Sequence, residues 1–129
     1  MEIGTFIAAS VAGGLGAVLR WLIDVAVSRR TRSRFPWGIW LVNVSGSFVL
    51  GLVAGWMAGA PAGLEPFATV VGAGLLGGFT TFSTVTVATV TLAQSGARRI
   101  ALMNVAATFV VCVVASVAGV ALGGVFAGA

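Results

Sequence analysis

Two rows of polar and small residues in an otherwise apolar chain carry most of the chemistry this sequence could perform. Asn43, Ser47, Gly51, Gly55 and Gly59 recur every four residues, as do Asn104, Thr108, Cys112 and Ser116, a spacing that lines each set along one helix face. Amides and hydroxyls so placed can stand in for water around an anion or a neutral solute. They also serve packing, because small residues let backbones approach and Ser, Thr and Asn hydrogen-bond between helices. Ordinary catalysis lacks material. The 129 residues hold no His, one cysteine (Cys112) and three carboxylates, Glu2, Asp24 and Glu65. A His or Cys metal site, a catalytic triad or a carboxylate pair cannot be assembled from these, and no enzyme is expected.

The elements that must position these rows follow from charge. Only 8% of the residues are charged, against roughly 25% in soluble domains, so the chain cannot cover a water-facing surface. Uncharged runs occupy 3–19, 35–64, 66–97 and 100–129, and a membrane-spanning helix needs about 20 apolar residues. The sequence therefore predicts an all-α membrane protein, a single unit over 1–129 with spans at 3–27, 37–57, 67–95 and 100–125. No basic segment precedes the first run, which is too long for a signal-peptide core, so it is expected to remain as the first span.

Six of the seven arginines, at positions 29, 30, 32, 34, 98 and 99, fall in the loops 28–34 and 96–99. In a four-span chain these loops share one side, and the other side carries only Glu2 and Glu65 besides the termini. The positive-inside rule then predicts a cell (inner or plasma) membrane protein with both arginine loops in the cytoplasm and both termini outside. Topology and anionic lipid account for the basic balance, and no nucleic-acid partner is expected. Trp21, Trp37 and Trp56 fall near span ends, where amphipathic rings suit the headgroup zone.

No Asp, Glu, Lys or His lies mid-span, which removes a proton relay and a side-chain cage for a cation. A small four-span drug or cation antiporter would need a carboxylate deep in the first span, and Glu2 comes too early. A non-transporting scaffold subunit is a further alternative. Arg20 is the one cation within a span. It can snorkel beside Asp24 at the membrane edge or form a positive vestibule that gathers anions.

The third span contains Gly72-Ala73-Gly74-Leu75-Leu76-Gly77-Gly78-Phe79-Thr80-Thr81-Phe82-Ser83-Thr84, rich in poor helix formers. Glycines loosen the backbone and the threonine hydroxyls offer it other hydrogen bonds. A break here would fall near Thr81, the midpoint of 67–95, and non-helical backbone survives at that depth only if buried in protein or lining a cavity. The alternative is a continuous helix with a packing face from Gly74 to Gly78.

Three motifs resemble the small fluoride channels of the Fluc or CrcB family: Gly13-Gly14-Leu15-Gly16-Ala17-Val18-Leu19-Arg20, Val42-Asn43-Val44-Ser45-Gly46-Ser47-Phe48, and Gly77-Gly78-Phe79-Thr80-Thr81-Phe82-Ser83-Thr84. The resemblance implies an antiparallel dimer with two narrow fluoride pathways through which the ion moves passively. It also implies a structural, non-transported Na⁺ held by backbone oxygens of Gly77 and Thr80. Asn43, Phe82, Ser83, Thr108 and Cys112 would line the anion pathway and Arg20 its vestibule, with positive ring edges of Phe82 facing the anion. Two positions depart from the family pattern. Val85 stands where a second Phe is usual, and Ile39 where Thr commonly follows the glycine opening the second span. Members working as homodimers show little arginine bias. The strong bias here predicts a heterodimer with an oppositely oriented homologous chain, a homodimer being the alternative.

Overall fold

The computed structural model describes residues 2–128; Met1 and Ala129, the ends of the unit expected from the sequence, lie outside them. The described chain is helical, with α1 (Ile3–Arg30), α2 (Trp37–Met57), α3 (Glu65–Ala68), a π-helical stretch (Thr69–Leu76), α4 (Gly77–Phe79), α5 (Phe82–Gln94) and α6 (Arg98–Ala127). Four helical segments are long and apolar enough to cross a membrane: Ile3–Arg30, Trp37–Met57, Glu65–Gln94 and Arg98–Ala127. The third is interrupted. The protein is a multi-pass membrane protein, and most of its large apolar side chains are correspondingly exposed on its flanks.

The third span runs Glu65–Gln94 against the expected 67–95 and α6 continues to Ala127, and the two ends beside the arginine loops also differ from the sequence boundaries. Helix α1 continues through Ser28, Arg29 and Arg30, expected in the loop, because arginines in a last turn complement the negative end of the helix dipole. Helix α6 starts at Arg98, so the third connection shrinks to a turn in which Gly96 takes φ +84°. That backbone conformation is open to glycine and strained for other residues.

Packing falls into two tight pairs. Helices α2 and α6 lie against each other through reciprocal glycines: Gly51 and Gly55 meet the backbone of Ser116 and Val120, while Gly119 and Gly123 meet that of Phe48 and Leu52. The glycine half of the second-span row is thus a packing surface. Helix α1 pairs with the third span, Gly16 against Leu75 and Phe79, Gly78 against Gly13, and Gly74 against Ala9. Both readings of the third span hold in part. The Gly74 and Gly78 face does pack, yet the helix is wound as π over Thr69–Leu76 and stops after Phe79. Thr80 (ψ 154°) and Thr81 (φ −153°, ψ 125°) are extended before α5 begins.

Candidate anion groove at the helix break

Two glycines bring the break within reach of its neighbours. Gly46 sits where a Cβ would overlap the Thr80 methyl group, so α2 presses directly on the break. One turn earlier on α2, Asn43 is then placed to accept a hydrogen bond from the Thr81 N–H at 2.9 Å through Oδ1, while its Nδ2 donates to the Ile39 carbonyl at 2.9 Å. A backbone N–H can only donate and a carbonyl can only accept, so these partners fix which way the amide faces. One N–H of Asn43 remains uncommitted. Gly16 does the same for α1, and Arg20, one turn on, donates through Nε to the Gly78 carbonyl at 3.4 Å.

The two lips of the break are therefore held from different spans. Arg20 places a cation at the carbonyl end of α4, where the half-helix dipole is negative. Thr81 caps α5, its Oγ1 accepting from the Thr84 N–H at 3.3 Å, and the first amides of α5 form an end that favours an anion.

Beside that end lies an open groove of about 400 Å³ whose lining includes Asn43, Ser47, Thr80, Thr81, Phe82, Thr108, Phe109, Cys112 and Ser116. Of the residues expected along an anion pathway, Asn43, Phe82, Thr108 and Cys112 meet here. Phe82 is 70% exposed and Phe109 68%, so two rings project at the groove with no cover from this chain. The Thr108 hydroxyl is buried and has no partner among the described residues, an uncommitted donor in the groove wall. Cys112 is a free thiol.

Other expected residues stand elsewhere. Ser83 is exposed and outside the lining, its hydroxyl 3.0 Å from that of Thr81. Arg20 is half-buried on the Gly78 carbonyl and also outside the groove. The Arg20–Asp24 pairing is not formed among the described residues; Asp24 accepts instead from the Ser28 hydroxyl at 3.4 Å. Val85 is 1% exposed and Ile39 4%, so the second of these departures faces the protein interior, while Val85 forms part of the groove wall.

Sequence reasoning missed the structural use of Thr81 and Asn104. Thr81 reads in hindsight as a helix cap, with Thr84 three residues on. Asn104, fully buried, turns away from the groove to donate to the Thr89 hydroxyl at 2.8 Å and the Val85 carbonyl at 3.3 Å, tying α6 to α5. No spacing signal distinguished it from Thr108, one turn further along the same row.

The carbonyls proposed for a cation can be tested against the same hydrogen bonds. The Thr81 N–H, which a continuous helix would give to the Gly77 carbonyl, goes to Asn43. The Thr84 N–H, the helical partner of the Thr80 carbonyl, goes to Thr81 Oγ1. Gly77 and Thr80 thus keep backbone oxygens free of these partners, a donor set suited to a hard cation.

Residues 7–120 match the family model described as CrcB-like protein, Camphor Resistance (CrcB). The chain is 45% identical to "Fluoride-specific ion channel FluC 1" of Frankia casuarinae, over 83% of this chain and 86% of that one. It is 40% identical to "Fluoride-specific ion channel FluC 3" of Brucella suis biovar 1 (92% and 91% covered). With "Fluoride-specific ion channel FluC 2" of Nitrobacter hamburgensis the identity is 39% (87% and 90% covered). A four-span helical chain, broken in its third span and matched by the family model over most of its length, belongs to the CrcB family.

Proposed function

We propose that this chain is a subunit of a passive, fluoride-selective channel that lets fluoride leave the cytoplasm down its electrochemical gradient and so limits its toxicity. The observation carrying this reading is the groove, which sets the Asn43 amide, the hydroxyls of Ser47, Thr108 and Ser116 and two exposed phenyl rings beside the amide end of α5, in a chain whose relatives are named fluoride-specific ion channels. Fluoride is small and strongly hydrated. A path for it must be narrow and mostly apolar, with a few fixed donors replacing water.

The groove is open along one flank, so a second chain is needed to close it. In our reading the partner is a homologous chain of opposite orientation, and the arginine asymmetry favours a heterodimer in which this subunit keeps loops 28–34 and 96–99 in the cytoplasm and its termini outside. A structural Na⁺, not transported, would be held by the Gly77 and Thr80 carbonyls at the centre of such a pair. Bound there, it would neutralise the carbonyl dipoles that the two breaks bring together.

The test is fluoride efflux from liposomes holding this chain alone or co-reconstituted with an oppositely oriented homologue. Efflux that requires the second chain supports the heterodimer. Equal efflux from this chain alone contradicts it and leaves a homodimer.

A further inference from the structure

A second concavity lies at the arginine end of the molecule, on the opposite side of α6 from the anion groove. It encloses about 360 Å³ between α2 and α6, and Phe35, Trp37, Trp40, Ile100 and Met103 form its walls with Ser33 at the mouth. The aromatic side chains form one cluster, Phe35 to Trp37 at 4.6 Å and Trp37 to Trp40 at 5.7 Å between ring centroids. The walls are apolar, yet Trp40, one of them, has a buried Nε1 with no acceptor among the described residues. A buried indole N–H normally finds one.

Charge flanks the mouth. Ser33 stands between Arg32 and Arg34, and Arg99 precedes Ile100, all three exposed; Arg98, two turns before Val105 of the groove lining, lies on the other face of α6. Arg98 and Arg99 occupy the first turn of α6, where the helix dipole is already positive. Two cations at that end are unfavourable unless an anion sits with them.

We propose that this concavity binds one anionic phospholipid from the leaflet facing the arginine loops. Its acyl chain would lie against Phe35, Trp37, Ile100 and Met103. An ester carbonyl would accept from the Trp40 N–H, and the phosphodiester would sit among Arg32, Arg34 and Arg99, whose planar donors match phosphate oxygens. Free phosphate does not meet this description, because the walls are apolar and the unpaired donor lies below the arginine level. Basic concavities between spans on the cytoplasmic side are a recurring lipid-headgroup site.

The experiment is native mass spectrometry of the detergent-purified protein titrated with phosphatidylglycerol or with phosphatidylcholine of the same acyl chains. One phosphatidylglycerol should be retained in preference to phosphatidylcholine. The pair Arg34→Gln and Arg99→Gln should weaken retention by about fivefold for each arginine removed. Trp40→Phe, which keeps a ring and removes the N–H, should also weaken it. Arg29→Gln with Arg30→Gln, within the last turn of α1 and outside the lining of the concavity, should weaken retention less than the Arg34 and Arg99 pair. Equal retention of the two lipids, or equal losses in the α1 control, would overturn the site in favour of a general charge effect. Retention unmoved by Trp40→Phe would remove the assigned donor and with it this seat for the lipid.

Discussion

Asn43 shows how one side chain can serve both architecture and transport. Its Oδ1 holds the Thr81 N–H and one Nδ2 hydrogen holds the Ile39 carbonyl, so the last N–H is the only part of the amide that an anion can use. Thr108 is its counterpart on α6, a buried hydroxyl without a partner among the described residues. Thr108→Val keeps the shape and removes the donor. A hydrogen bond to a charged group is worth about 1.5–3 kcal/mol, so fluoride efflux should fall at least about tenfold in stopped-flow or electrode assays while the helical circular dichroism stays unchanged. Asn104 predicts the opposite pattern. Because it bonds Thr89 and the Val85 carbonyl and turns from the groove, Asn104→Ala should lower stability by about 1 kcal/mol in detergent unfolding and act on efflux only through that loss. Arg20 sits at the carbonyl end of α4. Arg20→Met should destabilise by about 1 kcal/mol, and Arg20→Lys should retain much of the difference, since the dipole interaction depends on the charge.

At the scale of elements, the break depends on glycines that let spans touch. A Cβ on Gly78 would overlap the Gly13 carbonyl, whereas one on Gly14 meets nothing within 4 Å. Gly78→Ala should therefore cost about 1–3 kcal/mol in unfolding experiments, the range for overpacking, and Gly14→Ala should be neutral or slightly stabilising. Much of this level was legible in the sequence. The apolar runs located four spans, and the Gly-Gly beside Thr-Thr pointed to an interruption near Thr81. The π-helical winding of Thr69–Leu76 was not legible, because it answers to the fit of Gly74 against Ala9 across the span pair, not to any local residue signal. The groove was legible in part. Asn43, Thr108 and Cys112 share rows readable from spacing, but Phe109 joins Phe82 at its edge only through the way α5 and α6 cross. The sequence could not separate Asn104 from Thr108, because a four-residue repeat drifts around the helix and only the packing decides which members face the groove.

For the whole molecule, the open groove and the uneven arginines argue for the same assembly. In the proposed assembly a chain with six arginines at one end would insert one way, and closing its groove with an antiparallel neighbour would call for a chain with the reverse bias. If the Gly77 and Thr80 carbonyls hold Na⁺ at the centre of that pair, replacing Na⁺ with N-methylglucamine should lower the dissociation temperature of the dimer in size-exclusion assays. Side-chain changes at Thr80 should alter this dependence little so long as the backbone geometry persists. The central claim is that fluoride passes along the groove by way of the one free N–H of Asn43. The most direct test compares fluoride efflux, with chloride as control, from liposomes carrying the paired channel with wild-type Asn43 or with Asn43→Asp in this subunit. That change keeps an acceptor for the Thr81 N–H and replaces the donor with a negative charge. The account predicts rapid, fluoride-selective efflux from the wild type that falls at least about tenfold in the variant. Undiminished fluoride efflux from the variant would contradict it.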